Sequence, residues 1–400
     1  MSLLPVEDAI AIILGKVPAP KPETVSLREA SGRVLFQPLL AQHDQPPFNA
    51  SAMDGYAVRA ADIVAGHSLA VVGTSQAGAG FAAEMRAGEA VRIFTGAPVP
   101  VGADTVIMQE DAISADGHVS FTTQPRLGHS IRLLGNDFAK GQELIAAGVA
   151  LSPMQLAVAA AANAADLVVT QRPRIALLAT GDELVLPGSP LEPDQIVASN
   201  SLGLASLLAS YAQAVQDYGI APDDKAVLRQ KLGAIFADEP DIVVTTGGAS
   251  VGDHDIVQEI LLELGVTLDF WRINMRPGKP LMFGTRGKTL VFGLPGNPVS
   301  AMVTAIIFIK PTLRCWLNYN DFTHWNLPLA GPTPANTARR HFMRAQLVQT
   351  TTGPEILPIS QTDSGHTSSL AHADLLIIQR ENDPGKPAGS IVEAISINAF

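Results

Sequence analysis

The stretch DIVVTTGGASVGDHDIVQEILLELG, residues 241–265, decides how the rest of the chain reads. Its first part, DIVVTT, is a short β-branched run that reads as a strand, and its last part repeats apolar residues at helical spacing. Between them stand Gly247 and Gly248, followed by Ser250, Gly252, Asp253 and Asp255. A strand feeding a Gly-rich turn and then a helix is one unit of a parallel sheet covered on both faces. Ligands of such sheets sit beyond the carboxyl ends of the strands, where helix N-termini leave backbone donors unpaired.

The neighbouring segments carry the same alternation. RIALLAT (174–180) is a strand running into Gly-Asp-Glu; a helix is expected from Ser201 to Gln216 and a strand ending near Ile220. DDKAVLRQKLGAIF (223–236) predicts a further helix, VTLDFW (266–271) and TLVFG (289–293) further strands, and Pro298 to Leu317 the last long helix. Upstream, residues 5–15 read as an amphipathic helix that the Pro-rich VPAPKPETV segment ends, since proline lacks a donor and restricts its predecessor. Leu27 to Leu40 is helix-like or strand-like and leads into the loop QHDQPPFNASAMDG. From Tyr56 to about Ile145, short apolar runs are punctuated by Gly, Pro, Asn or Asp roughly every ten residues, which predicts a compact β domain. SPMQLAVAAAANAADLV (152–168) reads as one helix, capped by Ser152 with Pro153 in its first turn. Packed back on the N-terminal helix, it would make the β domain an insertion. The expected division is a helical domain from residues 1–41 and 138–172, an inserted β-rich domain over 42–137, a parallel α/β domain over 173–320, and a small C-terminal β domain over 321–400.

Composition bounds the function. The 400 residues carry a formal charge of −11, so nucleic acid and anionic membrane are disfavoured partners, and an anionic ligand needs a local basic cluster. The single cysteine, Cys315, excludes an intrachain disulfide framework and a Cys-based zinc or iron–sulfur site, and its apolar neighbours predict a buried, inert thiol. The nine histidines show no metal-ligand spacing. The N-terminus lacks a basic leader, and the apolar run Val299–Ile309 is too short to span a bilayer and is stopped by Lys310. A cytoplasmic location is the expectation.

Three strand-end loops can carry chemistry. In TGDEL (180–184), Thr180 and Gly181 form a tight turn and place Asp182 and Glu183 side by side, suited either to Mg²⁺ or the polar edge of a ligand, or to a plain solvated turn. In TTGGASVGD (245–253), glycines let N–H groups approach an oxyanion, while the acids suit a magnesium ion; the alternative is a structural turn. Neither a Walker Lys-Ser/Thr nor a GxGxxG fingerprint is present. In RPGKP (276–280) and GLPGNPVSA (293–301), Arg276 and Lys279 supply the basic cluster, and Pro298 and Ser300 open a helix at an oxyanion-ready end; a solvated Arg–Lys pair is the alternative. From composition alone, NASAMDGYAV (49–58) and FTGAPVPVGAD (94–104) are structural turns.

Taken together, SAMDGYA, FTGAPVP, GNDF, ATGDEL, TTGGASVGD, RPGKP and GLPGNPVSA, in this order, resemble the MoeA family of molybdopterin molybdenumtransferases, related to the gephyrin E domain. The resemblance covers nearly the whole chain. It implies a homodimer of four-domain subunits whose MogA-like parallel-sheet domain binds adenylylated molybdopterin, with a β-barrel-like C-terminal domain. The implied reaction inserts molybdenum from molybdate, hydrolyses the pyrophosphate bond and releases AMP, with Mg²⁺ as cofactor. A molybdopterin adenylyltransferase would act upstream, and molybdoenzymes or cofactor carriers downstream. Carried over by position, Asp54, Thr95, Asp137, Glu183, Asp255 and Lys279 would be catalytic, and Asp253 with Asp255 would hold the metal. Thr180, Gly181, Gly247, Gly248, Ser250, Arg276, Pro295, Gly296, Pro298 and Ser300 would bind the cofactor, joined by Arg339, Arg344 and Ser364 from the C-terminal domain. Ala198, in QIVASN, stands where the family usually has an acid, and Ala249 where Val is common. A molybdopterin adenylyltransferase, which shares the parallel-sheet motifs, and a catalytically silent carrier or scaffold are the alternative readings.

Overall fold

The computed structural model describes residues 3–248, 256–319, 324–361 and 363–397. The chain divides into two compact units, residues 24–147 with 151–168, and residues 1–23, 148–150 and 169–400.

The larger unit is built on a six-stranded sheet in the order Ala214–Ala221, Arg174–Thr180, Ile242–Thr246, Thr289–Leu294, Pro280–Arg286, Thr267–Arg272. The first four strands are parallel, with Ile242 level with Ile175 on one side and Leu290 on the other. The expectation of a wholly parallel sheet is corrected at the far edge, where the last two strands run antiparallel. Pro280–Arg286 and Thr289–Leu294 are separated by Gly287 and Lys288 alone; Gly287, at φ 58°, makes the tight hairpin that forces this.

Along the central strands alternate residues face opposite sides. Ala176, Leu178 and Val243 pack with Leu228, Leu232, Ile235 and Phe236 of helix Lys225–Ala237 and with Val257, Ile260 and Leu261 of helix Ile256–Glu263. Each such large side chain contributes about 1.5–3 kcal/mol by leaving water. Helix Asn200–Leu208 and the start of Pro298–Thr304 also pack together, with Gly203 facing the Met302 sulfur. The expected helix Ser201–Gln216 therefore stops at Leu208; Tyr211 is fully buried and Ala214 opens the edge strand.

The last long helix spans Pro298–Leu317 as expected; what is corrected is the expectation that its apolar stretch is stopped by Lys310 and too short to span a bilayer. Pro298–Thr304, the π-helical turn Ala305–Ile309 and Lys310–Leu317 run on as 20 residues, long and apolar enough to cross a membrane by length and composition, but 72% buried inside the protein. Lys310 is buried and donates from Nζ to the Ile397 carbonyl at 2.9 Å. The expectation of a buried Cys315 is also corrected: the helix turns it outward, and it is exposed.

Helix Val6–Leu14 buries Val6, Ala9 and Ile13, as its amphipathic pattern predicts. Its Glu7 pairs with Arg340, which also reaches Glu381 at 3.2 Å. The C-terminal strands run in the order Met275–Arg276, Arg340–Thr350, Leu375–Gln379, Ile391–Ser396, His324–Pro328, with Gly353–Pro358 beside Arg340–Thr350. A bridge from Leu329 to Ile356 joins the two ends, so the sheet curls into a small barrel around Met343, Ile356, Ile377 and Val392.

The smaller unit carries a six-stranded sheet in the order Thr105–Met108, Gly55–Val58, Glu89–Ile93, Leu69–Ser75, His118–Phe121, Ala112–Ala115. Its two faces bury separate sets, Ala57, Val91, Ile93 and Val106 on one side and Val58, Ala90, Ile107 and Val119 on the other. Helix Pro153–Ala161 begins with the expected cap: Ser152 Oγ accepts from Met154 N at 3.2 Å and Gln155 Oε1 accepts from Ser152 N at 3.2 Å. It is shorter than expected, because Asn163 takes a left-handed φ of 63° and Asp166–Thr170 forms a strand. Leu27–Leu40 contains a 3₁₀ turn, Leu27–Glu29, bridge residues at Val34 and Leu35, and the two-residue strand Leu39–Leu40.

Gly55 is the tightest point of this unit, since a Cβ there would lie 1.9 Å from the Ile107 carbonyl oxygen. Gly55→Ala must force apart two paired strands, an overpacking cost of about 3 kcal/mol or more. Chemical denaturation should show a lowered midpoint for the variant; an unchanged midpoint contradicts the strand spacing.

Candidate functional site

At the carboxyl ends of the parallel strands the backbones come together closely. Thr180 is buried and its Oγ1 donates to the Thr246 carbonyl at 3.4 Å. Gly247 has φ 86°, and a Cβ on it would lie 2.3 Å from the Thr180 carbonyl oxygen. Gly248, at φ 65°, would put a Cβ 2.2 Å from the Val257 side chain. Both positions are in the left-handed region and against neighbouring atoms, so glycine alone fits.

These turns form one wall of a cleft of about 640 Å³. Of the residues expected to bind a ligand, Thr180, Gly181, Glu183, Gly247, Gly248, Pro295, Gly296 and Pro298 line it together. Asn200 and Asn297, which the sequence reading passed over, hold the opposite rim: Asn200 Nδ2 donates to the Gly296 carbonyl at 2.7 Å, and Asn297 Nδ2 donates to Ser364 Oγ at 2.9 Å. The Ser364 carbonyl also accepts from Val299 N at 3.3 Å, so Ser364 braces the cleft loop from the C-terminal barrel. Ser300 is buried within its helix and does not line the cleft. Ser250, Asp253 and Asp255 lie outside the described residues, as does Ala249.

Asp223 is the acid that sequence reasoning missed. It follows the edge strand Ala214–Ala221 and lines the cleft beside Glu183, while its N–H donates to Asp182 Oδ1 at 2.9 Å. Partial burial first, then the charges of Asp182 and Glu183, push its pKa above the ordinary carboxylate value. The missed signal was available, since an acid just beyond a parallel strand is where such sheets place ligand-binding groups. Among the described residues, no group of three His, Cys, Asp or Glu side chains is arranged to hold a metal.

The basic residues gather where the α/β domain meets the barrel. Arg276 lies level with His341 through pairing of Met275–Arg276 with Arg340–Thr350. Its Nε is buried without a partner, and burial followed by the nearby charge of Arg339 lowers its pKa. Neither the Arg276 nor the Arg339 side chain meets a carboxylate among the described residues. His341, 4% exposed, is pushed down to about 4 by burial, then by Arg276, with Arg344 and Arg339 adding to the effect. It is neutral at pH 7 and adds no charge. Lys279 is half-buried, one residue from the cleft-lining Pro280, and its carbonyl accepts from Ile273 N at 3.0 Å.

Arg344, which the resemblance placed with the ligand, is met in this structure by protein acceptors. It is 5% exposed and donates to Ser369 Oγ at 2.6 Å, to the Asp363 carbonyl at 3.2 Å and to the Gln361 carbonyl. Those bonds hold the loop that carries Ser364, so Arg344 braces the cleft rim with its guanidinium spent on protein acceptors.

In the smaller unit, Asp54 Oδ1 accepts from both Thr95 N and Thr95 Oγ1 at 2.7 Å. These bonds, led by the backbone N–H, and the charge of Arg92 hold the Asp54 carboxyl below its ordinary pKa. Asp137 is exposed and lines a separate hollow of about 580 Å³ with Arg132 and Asn136.

The chain matches three families in succession: "MoeA N-terminal region (domain I and II)" over residues 4–163, "Probable molybdopterin binding domain" over 176–315, and "MoeA C-terminal region (domain IV)" over 326–397. It is 37% identical over 313 residues to a protein of Haemophilus influenzae named molybdopterin molybdenumtransferase, covering 78% of this chain and 77% of that one. The chain belongs to the MoeA family. A relative of the same name from Bacillus subtilis is 32% identical, covering 98% of this chain and 94% of its own. Among solved structures, the molybdopterin biosynthesis MoeA protein of Pyrococcus horikoshii superposes with a TM-score of 0.84 at 28% identity, covering 99% of this chain and 100% of that one.

Ala198, where the MoeA pattern usually has an acid, is nearly buried and lines the cleft. This MoeA-family chain thus carries its described cleft acids on the Thr180 and Ala221 strand ends. Ionised Asp223 is unfavourable in the folded state, so its cost is present above the carboxylate range and vanishes as pH falls and the group protonates. Asp223→Asn should raise the melting temperature near pH 7.5, with the gain shrinking toward pH 4; a loss of stability at pH 7.5 contradicts the placement.

The sign for His341 follows from its lowered pKa. The unfolded chain's histidine takes a proton near 6.5 that folded His341 refuses until about 4, so stability is lost as pH falls through that window. His341→Asn should remove up to about 3 kcal/mol of that acid-dependent loss, read from denaturation midpoints between pH 6.5 and 4. Equal acid sensitivity in both proteins overturns the assignment.

Proposed function

We propose that this chain inserts molybdenum from molybdate into adenylylated molybdopterin, hydrolysing the pyrophosphate bond and releasing AMP. The reading rests on a glycine-walled strand-end cleft and, outside its lining but four residues before the cleft-lining Pro280, on Arg276, which with Arg339 makes two guanidiniums without carboxylate partners among the described residues. Backbone turns of that kind accommodate phosphate, and unpaired guanidiniums attract a tetrahedral oxyanion in a chain whose net charge is −11. Relatives bearing the name molybdopterin molybdenumtransferase support the assignment.

In this reading Thr180, Gly181, Gly247 and Gly248 position the pyrophosphate, and Pro295, Gly296 and Pro298 shape the opposite wall. Glu183 and Asp223 orient the water or the polar edge of the ligand, and Arg276, Arg339 and Lys279 hold molybdate. The pterin's own sulfurs become the metal's ligands, which explains why the protein needs no Cys or His cluster. A magnesium ion on Asp253 and Asp255 would supply charge neutralisation at the pyrophosphate when bound. Asp54, Thr95 and Asp137 are further residues serving the reaction, and the active form is a homodimer. A cytoplasmic location, supply by a molybdopterin adenylyltransferase and delivery to molybdoenzymes or carriers follow from the same reading.

Purified protein given adenylylated molybdopterin, Mg²⁺ and molybdate should release AMP. Retention of intact substrate by protein shown to bind it contradicts the proposal and leaves a carrier; consumption of ATP with unadenylylated pterin makes it an adenylyltransferase. Arg276→Gln should raise the molybdate concentration needed for half-maximal release by about tenfold or more, the worth of one charge-assisted contact. An unchanged molybdate dependence removes Arg276 from the oxyanion site.

A further inference from the structure

Arg92 was not among the expected site residues, yet it ties together three separated segments around Asp54. Strands Gly55–Val58, Glu89–Ile93 and Thr105–Met108 lie side by side, with Tyr56 level with Arg92 on one side and Ile107 on the other. The Arg92 guanidinium stands 5.2 Å from the Tyr56 ring centre and 4.8 Å from that of Phe94. Its fork donates from one arm to the Gly55 carbonyl at 2.7 Å and from the other to Gln109 Oε1 at 2.5 Å. Gln109 N in turn donates to the Asp54 carbonyl at 3.1 Å.

The Asp54 carbonyl and the following Gly55 carbonyl are therefore both held within the network that Arg92 makes, and the Asp54 side chain by Thr95. Both Thr95 donors go to Oδ1, and among the described residues no protein donor reaches Oδ2. Arg92 places a positive charge near this carboxylate while spending its hydrogen bonds on neutral acceptors. That arrangement keeps the carboxylate ionised without occupying its second oxygen.

We propose that Arg92 is a positioning residue that fixes Asp54 with Oδ1 consumed and Oδ2 presented as a single acceptor for an O–H or N–H of the ligand. Thr95 belongs to the same device, orienting Asp54 instead of touching the reacting atoms. The proposal rests on the reading that Asp54 serves the AMP-releasing reaction. Arginine suits the task because only its planar fork meets two acceptors at fixed angles while stacking on rings; lysine supplies the charge alone.

The test compares Arg92→Gln, Arg92→Lys, Gln109→Met and Asp54→Asn in steady-state AMP release, with the pH titration of the Thr95 amide followed by ¹⁵N NMR. Arg92→Gln should lower kcat by about 10- to 100-fold, as a small misplacement does, with KM nearly unchanged. Its Thr95 amide should titrate at a higher pH than in the unaltered protein. Arg92→Lys should keep the titration near its original pH and recover part of kcat. Gln109→Met, which leaves the ring stack intact, should lower kcat in the same direction, and it stands in if Arg92→Gln fails to fold. Full kcat in folded Arg92→Gln, or in Gln109→Met where it stands in, alongside an inactive Asp54→Asn overturns the positioning role. Full activity in Asp54→Asn overturns the reading beneath it.

Discussion

The structure depends on how closely the backbones can approach where the parallel strands end. The Thr180 carbonyl and Gly247 lie so near that a single methyl group would come within 2.3 Å, and Gly248 faces Val257 with as little room. This approach brings the turn after Arg174–Thr180 and the turn after Ile242–Thr246 into one surface bare of side chains at Gly181, Gly247 and Gly248, with the Gly181 and Gly247 N–H groups themselves held by the Ala221 and Leu294 carbonyls at 3.1 and 3.3 Å. A surface of that kind accepts the oxygens of a phosphate at a distance no side-chain-bearing turn allows. The layers of the α/β domain, with Phe236, Ile260 and their neighbours packed on the sheet, serve to hold those turns rigid.

Charge is arranged around the same point by subtraction. The chain is acidic overall, and many of its other basic side chains are committed elsewhere: Arg340 to Glu7 and Glu381, Arg229 to Glu263, Lys225 to Glu259, Arg344 to a loop. Among the described residues Arg276 and Arg339 meet no carboxylate, and the buried His341 stays neutral instead of competing. A half-buried cation without a counter-ion carries a desolvation cost that an anionic ligand would offset. The same logic recurs at Asp54, where Arg92 lends charge without capping the carboxylate.

How much of this was legible in the sequence follows from the range of the interactions. The strand–glycine–helix unit of residues 241–265 was readable because propensity, period and turn chemistry agree within one short window. The Ser152 cap was readable for the same reason. The hairpin over 280–294 was not, since two apolar runs flanking Gly287 and Lys288 carry no mark of direction beyond the turn itself. The end of the helix at Leu208 was hidden because Ala209 to Ala212 continue a helix-compatible pattern, and the burial of Tyr211 decides it. In the site, the glycine and proline turns stood out by composition, whereas Asp223 fell inside the expected helix over 223–236 and Arg92 inside one of the short apolar runs of the β region. Arg92 acts on partners 37 and 17 positions away, a pairing that only strand register reveals. Arg344 likewise carries contacts no local pattern marks, since its guanidinium holds the loop with Ser364 across 17 to 25 positions.

The central claim is that the unpaired arginines and the glycine-walled cleft together deliver molybdenum to the pterin. The most direct measurement is complementation of a bacterial strain that lacks molybdenum insertion, scored by nitrate reductase activity at ordinary molybdate concentration. The account predicts that the unaltered chain restores nitrate reductase and that a chain with Arg276 and Arg339 both changed to Gln, made at equal level, does not. Failure of the unaltered chain, or full restoration by the doubly substituted one, would contradict it.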